Sequence, residues 1–214
     1  MSEDGTITGG NYERLAADWR SRFVSWDHEA MMRRVGLAGC LPDRLEIPYY
    51  GVVYRLDRAS GAITRRDTPG SPVSVSIQMA LLTMLCYAKD DPHNSGEWVP
   101  FRSVPGASPF APAFQREVLE PFAAAFSGRA EELRSIGVKL GFHPLRRSDV
   151  GFLAYAFPFI PVQFLFWDGD EEFPAQANIL FDRNIVQFTH VESVVTLAED
   201  GADLFLGELG REPV

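Results

Sequence analysis

The chain has 214 residues, 46% of them apolar and 23% charged, with a formal net charge of −9; this is the profile of a globular domain long enough to bury a sizeable core. The charge argues against a nucleic-acid binder and against docking on anionic lipid, since both need clustered Lys and Arg, and the basic pairs Arg33-Arg34, Arg65-Arg66 and Arg146-Arg147 never extend into a patch. No apolar run reaches the roughly 18 residues of a membrane helix, and an acidic, glycine-rich start with two distant cysteines, Cys40 and Cys86, points to a reducing cytoplasm and excludes an iron–sulfur cluster held by cysteines of this chain alone.

Residues 1–10 read as a flexible N-terminus and 208–214 as a flexible C-terminus around a single globular domain, 11–207. With Asn11 as N-cap, Tyr12, Leu15, Trp19, Phe23, Trp26 and Ala30 recur every three or four residues, which predicts one amphipathic helix ending at Gly36. A β section follows, with a short strand over 45–47, a Val- and Tyr-rich strand over 49–56, and a return over 62–64 after the Gly-containing loop 57–61. Pro69-Gly70-Ser71-Pro72 marks a turn, and 73–89 is apolar almost all round, so it predicts an interior helix. After the polar loop 90–96, residues 98–101 read as a short strand with Arg102 at its end.

Ser108 caps a helix with the stripe Phe110, Phe114, Val118, Phe122 and Phe126, which Pro121 should kink or restart near Glu120. Gly128 stops it, and 129–136 is a further helix ended by Gly137. Residues 150–157 and 162–167 read as strands around the corner Pro158-Phe159-Ile160-Pro161, the second apolar enough to lie centrally with both faces covered. Residues 177–181 form a third strand, and Thr189-His190-Val191-Glu192 has the form of a capping box opening a last helix over 190–206. The irregular alternation predicts an α+β fold, a single domain whose mixed or antiparallel sheet packs against an apolar central helix and flanking helices.

One stretch gathers more chemically capable side chains than any other. The apolar run 162–167 meets Asp168-Gly169-Asp170-Glu171-Glu172, and the run 177–181 closes on Asp182. Asp168, Asp170, Glu172 and Asp182 are hard oxygen donors of the kind divalent cations prefer, and carboxylates at a strand end also suit acid/base work. The spacing is not that of an EF-hand. The alternative reading is a solvated acidic turn whose Asp168 or Asp170 accepts backbone N–H bonds.

His28 reads as exposed on the first helix, His93 as part of a polar loop, and His190 as the start of the last helix. His143, within Gly141-Phe142-His143-Pro144, is the candidate axial ligand for a tetrapyrrole in an aromatic pocket, against the alternative that the sixteen Phe residues are simply core. No HxH or HxxxH pair supports a zinc site, and GxSxG, GxGxxG and the phosphate-loop motif are absent. Cys86 falls inside an apolar helix, where a thiol is inert, and Cys40 reads as structural. Arg102 suits an ion pair with the acidic stretch or a bidentate hold on an anionic ligand.

Pro158-Phe159-Ile160-Pro161, Trp167-Asp168-Gly169-Asp170-Glu171-Glu172-Phe173-Pro174 and Ile179-Leu180-Phe181-Asp182 carry a resemblance, together with Trp98-Val99-Pro100-Phe101-Arg102 and Tyr50-Gly51-Val52-Val53-Tyr54-Arg55 upstream. Over roughly residues 12–206 the chain resembles an uncharacterised prokaryotic family of domains of unknown function. The resemblance implies a family found mainly in anaerobic bacteria and archaea, some members of which carry a separate cysteine-rich iron–sulfur module that this chain lacks. It implies no activity and no catalytic residue, and it puts weight on the acidic stretch. The leading expectation is a cytoplasmic accessory protein that binds a small ligand or a cofactor such as a tetrapyrrole. Its pocket would be walled by aromatics over 152–167 and rimmed by His143, Arg102, Trp167, Asp168 and Glu172. The rivals are an enzyme holding a divalent cation on Asp168, Asp170, Glu172 and Asp182, and an interaction module that meets a protein partner through its acidic face. A homodimer is compatible with each.

Overall fold

The computed structural model describes residues 9–210, over which the chain forms two antiparallel sheets and a set of helices, the expected α+β arrangement. Residues 1–8 and 211–214, where flexible ends are expected, lie outside the described residues, while α1 (Gly9–Phe23) takes in the last two residues of the expected N-terminal tail. The first sheet joins β1 (Arg44–Tyr49), β2 (Val52–Asp57) and β3 (Ile63–Arg65) in sequence order. The second contains β4 (Trp98–Pro100), β5 (His143–Leu145), β6 (Val150–Phe157), β7 (Ile160–Trp167) and β8 (Gln176–Asp182), in the order β4-β8-β7-β6-β5.

β7 is the central strand, as its apolar run predicts. Val162, Phe164 and Phe166 are buried on one face and Gln163 and Leu165 on the other. The polar exception, Gln163, is satisfied by Arg147, whose Nη1 donates to its Oε1 at 3.3 Å. Against the sheet pack α5 (Glu120–Phe126), α6 (Ala130–Lys139) and the C-terminal α7 (Val191–Glu208). Phe205 of α7 is fully buried, its ring 5.4 to 5.9 Å from those of Phe122, Phe142, Phe152 and Phe164. Truncating such a hub costs about 3–5 kcal/mol, because the cavity adds to the lost transfer energy.

Two glycines make the packing possible. A Cβ on Gly137 would lie 2.2 Å from the Phe152 ring, so the absence of a side chain is what lets α6 lie on β6. That role overturns the expectation that Gly137 ends its helix; α6 continues to Lys139 and stops at Gly141, which has φ +74°. On α7, a Cβ at Gly201 would meet Phe164 and the Tyr50 hydroxyl at 2.5 and 2.6 Å.

The helix predicted from Asn11 to Gly36 is two helices. After Phe23 the chain turns, and Asp27 caps α2 (His28–Arg34) by accepting the Ala30 N–H at 3.0 Å. His28, expected to be exposed, is 4% exposed. Its Nε2 meets the Phe23 carbonyl at 2.7 Å and its Nδ1 receives the Arg58 Nε–H at 3.2 Å. The strand predicted over 49–56 contains a two-residue turn instead. Tyr50 and Gly51 have φ of 45° and 78°, the doubly left-handed pattern of a tight hairpin, and β1 and β2 pair in register across it. Tyr50 tolerates this because its N–H donates to Ala156 O at 2.9 Å and its hydroxyl to Leu197 O at 2.7 Å, tying the small sheet to β6 and α7.

The apolar helix is α3 (Val75–Tyr87), capped by Ser74 and buried from Ala80 to Leu85. The predicted disturbance at Pro121 appears as a π turn over Gln115–Leu119 between α4 (Ala111–Phe114) and α5. One extra residue in the turn delivers Pro121 to the start of α5, where its missing N–H has no role to lose. α7 is not opened by the predicted capping box. His190 is the cap, its Nδ1 accepting the Glu192 N–H at 3.3 Å, while Thr189 is 2% exposed and its hydroxyl has no partner among the described residues. No helix among the described residues is long and apolar enough to cross a membrane.

Candidate functional site

β8 pairs with β7 from Gln176 to Phe181 but with β4 only from Leu180 to Asp182. The edge over 176–179 therefore has no strand partner among the described residues. Beside that edge runs the helical segment α4, π turn and α5, anchored by Phe114, whose ring lies 4.4 Å from Phe101 and 6.3 Å from Phe181. Between helix and strand lie two adjoining hollows of about 320 and 790 Å³, and a third of about 450 Å³ borders the same strand edge without touching the helical segment.

The first is bounded by Pro100, Phe101, Arg102, Gln115, Leu119 and Asn178; the second by Leu119, Glu120, Ala123, Pro174 and Gln176; the third by Trp167, Asp168, Phe173, Pro174 and Asn178. Ala177 borders all three, so the first two read as one groove and the third adjoins it at the strand edge. Its floor and middle are apolar, and its ends differ in charge. Arg102 stands at one end, exposed, with no ion pair or hydrogen bond to its guanidinium among the described residues. Asp168 and Glu120 stand toward the other. Phe173 is 63% exposed and Trp167 38% exposed beside it, apolar surface that a folded chain ordinarily hides.

Of the ligand-binding candidates, Arg102 borders the first hollow and Trp167 and Asp168 border the third. Glu172 sits on the exposed turn beyond it. His143 is on β5, the opposite edge of the sheet from β4, four strand spacings or about 19 Å away. It is exposed, packs edge-on to Tyr155 at 6.4 Å, and borders none of the hollows above.

The carboxylates behave as turn formers. Asp168 Oδ1 accepts from Gly128 N at 2.7 Å and Gly169 N at 2.9 Å, tying the end of β7 to the loop after α5. Asp170 Oδ1 accepts from Phe173 N at 2.8 Å and Glu172 N at 2.9 Å, and these backbone donors hold its carboxyl below the usual range. Asp182 lies at the far end of β8 and is 2% exposed. Its oxygens accept from Ser95 N, Ser95 Oγ, Gly96 N and Asn184 N at 2.7 to 3.0 Å. Burial pushes its carboxyl up, but the four donors outweigh that and hold it low. Among the described residues no three His, Cys, Asp or Glu side chains are gathered to hold a metal ion.

Sequence reasoning missed Gln115 and Leu119, whose only signal was the proline downstream, and Asn178 on β8. It also missed Asp200 on α7. The Tyr49 hydroxyl donates to Asp200 Oδ2 at 2.6 Å and Ser76 Oγ to Oδ1 at 2.5 Å, joining β1, α3 and α7. Burial raises the Asp200 carboxyl, and burial with the nearby Asp200 charge pushes the Tyr49 phenol well above its ordinary value.

A family model described as a domain of unknown function, DUF3786, matches residues 27–203, so all of the groove lies within the matched stretch and α1 lies outside it. No curated protein and no solved structure matches the chain.

Proposed function

The chain belongs to the DUF3786 family, and from that premise we propose that it is a small-ligand-binding protein whose site is the groove between β8 and the π turn. The observation that carries the reading is the cation without a counter-ion: Arg102 stands at the mouth of an apolar hollow with the amides of Gln115 and Asn178 beside it. A guanidinium placed so holds a carboxylate or phosphate through paired N–H donors. The apolar middle of the groove takes the ligand's body, and Asp168 or Glu120 meets a hydrogen-bond donor at its other end. Arg102, Trp167 and Asp168 are the binding residues. Nothing in the groove is arranged as a nucleophile with its base, which favours binding over catalysis.

Thermal-shift titration of the full chain with small organic acids, hexanoate and benzoate among them, tests this. Stabilisation by the acids but not by their amides, lost in Arg102→Gln, is the expected result. Equal responses from acids and amides, or from wild type and variant, would overturn it. The free edge over 176–179 supports a second occupant, an extended peptide that adds a strand there. It is told apart by hydrogen exchange, since only an added strand protects the outward-facing amides among 176–179, the alternate ones being bonded to β7 already.

A further inference from the structure

A second cleft, about 560 Å³, opens between α1, α3 and α7 and shares no lining residue with the β8 groove. Glu192, Thr196 and Glu199 follow one another along α7 at steps of four and three, so they line one face of that helix, with Ser193 beside them. Facing them are the aromatic rings of Trp19 on α1, Tyr87 at the end of α3, and Phe110. The Trp19 and Tyr87 centroids are 5.9 Å apart, and the Tyr87 ring lies 5.1 Å from His190. Tyr87 is 44% exposed and Leu15, at the mouth, 43%.

The polar groups are set to accept. Ser193 Oγ donates to Thr83 Oγ1 at 3.0 Å, and Thr83 passes its own proton to Met79 O at 2.7 Å. The Ser193 oxygen has thus given its hydrogen away and keeps its lone pairs. Two carboxylates line the cleft and no Lys or Arg does; Arg22, whose guanidinium lies 5.9 Å from the Trp19 ring, is paired with Asp18 at 2.8 Å.

We propose that this cleft binds an organic cation, an ammonium group on an aromatic or other apolar body, with Trp19 and Tyr87 facing the body and Glu199, Glu192 and Ser193 receiving the charge. Aromatic faces carry negative potential and attract a desolvated cation, and a carboxylate beside them completes the recognition. An anion meets two carboxylates here, and a neutral ring leaves Glu199 without a counter-charge. Glu199 is the discriminating residue. Burial first, then Asp200, Asp203 and Glu117, raise its carboxyl, and an entering cation opposes that rise. Besides these neighbours, the titratable groups of the cleft are His190 and Glu192 at the start of α7 and Tyr87 on α3.

The test uses the full chain and four probes of one shape: phenethylamine, benzyltrimethylammonium, 2-phenylethanol and phenylacetate. Tryptophan fluorescence and thermal shift should report saturable binding of the two cations and none of the alcohol, and any response to the acid should belong to the β8 groove. Glu199→Gln, nearly isosteric, should weaken the cations at least about tenfold, the weight of one charge-assisted bond, without lowering Tm. Tyr87→Ser, at an exposed ring, should do likewise by removing the aromatic wall. Arg102→Gln should leave both cations and the alcohol unchanged and abolish any response to the acid, which separates this cleft from the β8 groove. Binding of 2-phenylethanol, or of phenylacetate to Arg102→Gln, as tight as that of the cations, indifference to Glu199→Gln, or no saturable binding of either cation overturns the assignment.

Discussion

Asp182→Asn tests whether the buried carboxylate is a structural acceptor. The native side chain receives four donors at 2.7 to 3.0 Å, three on Oδ1 and one, Gly96 N, on Oδ2. Asparagine offers one oxygen. If it replaces Oδ1, three bonds survive but lose their ionic character, about 1 kcal/mol each. The amide nitrogen then faces Gly96 N across what was a 2.7 Å bond, leaving buried donors opposed, about 1–3 kcal/mol more. Partial relaxation leaves an expected loss of about 3–5 kcal/mol, a large share of a typical domain's 5–15. Urea unfolding at pH 7, with the slope m unchanged, measures it. The carboxyl's folded value is depressed by its donors, so its stabilisation is fully present above the unfolded value near 3.9 and is lost as pH falls through the folded one. The gap between wild type and variant should therefore be constant from about pH 5 to 7 and narrow below about pH 4. A gap under about 1 kcal/mol at pH 7, or one undiminished in acid, refutes the reasoning.

Gly137→Ala gains helix propensity but drives a methyl into the buried Phe152 ring, and overpacking wins; a net loss of about 1–2 kcal/mol, read as a Tm lower by about 2–8 °C in calorimetry, is expected, and an unchanged or higher Tm contradicts the close approach. Asp200→Asn has the opposite pH signature to Asp182→Asn. Burial raises the folded Asp200 value, so wild type carries a penalty above that value which disappears as pH falls toward the unfolded 3.9. Wild type should gain on the non-titrating variant between pH 7 and 4 in paired urea melts; a flat difference would show that Asp200 is not desolvated in the native state.

Much of the architecture follows from apolar patterning. β7 had to lie centrally because six successive apolar or amide residues can be covered only from both sides, and α3 had to lie inside because it has no polar face to turn outward. The departures come from bonds between residues far apart in the chain. Nothing local tells Tyr50 to take a left-handed backbone; Ala156 O and Leu197 O do, more than a hundred positions away. His28 is hidden because Phe23 O and Arg58 claim both its nitrogens. In the groove and the hollow beside it, Arg102, Trp167 and Asp168 were legible because strand ends present side chains at a sheet's rim. Gln115 and Leu119 were not, because a π turn breaks the 3.6-residue period that makes a helix readable. The acidic run attracted attention by its composition, yet Asp168 and Asp170 each spend one oxygen on main-chain N–H groups, and Glu171 and Glu172 stand on the exposed turn.

The same π turn bears on how this chain tolerates changes in length. It inserts one residue into what is otherwise a continuous spiral. Deleting a single position within 115–119 would let the spiral close into an ordinary α-helix with the residues downstream nearly in phase, because the wide turn absorbs the one residue that an α-helix could take up only by rotating about 100°. Phe122 and Phe126 would stay on the buried side, but Pro121 would arrive inside a regular turn that has no place for it. A gap that looks harmless in a list of residues thus removes the wide turn that houses the proline. Loops elsewhere are better places to shorten this protein.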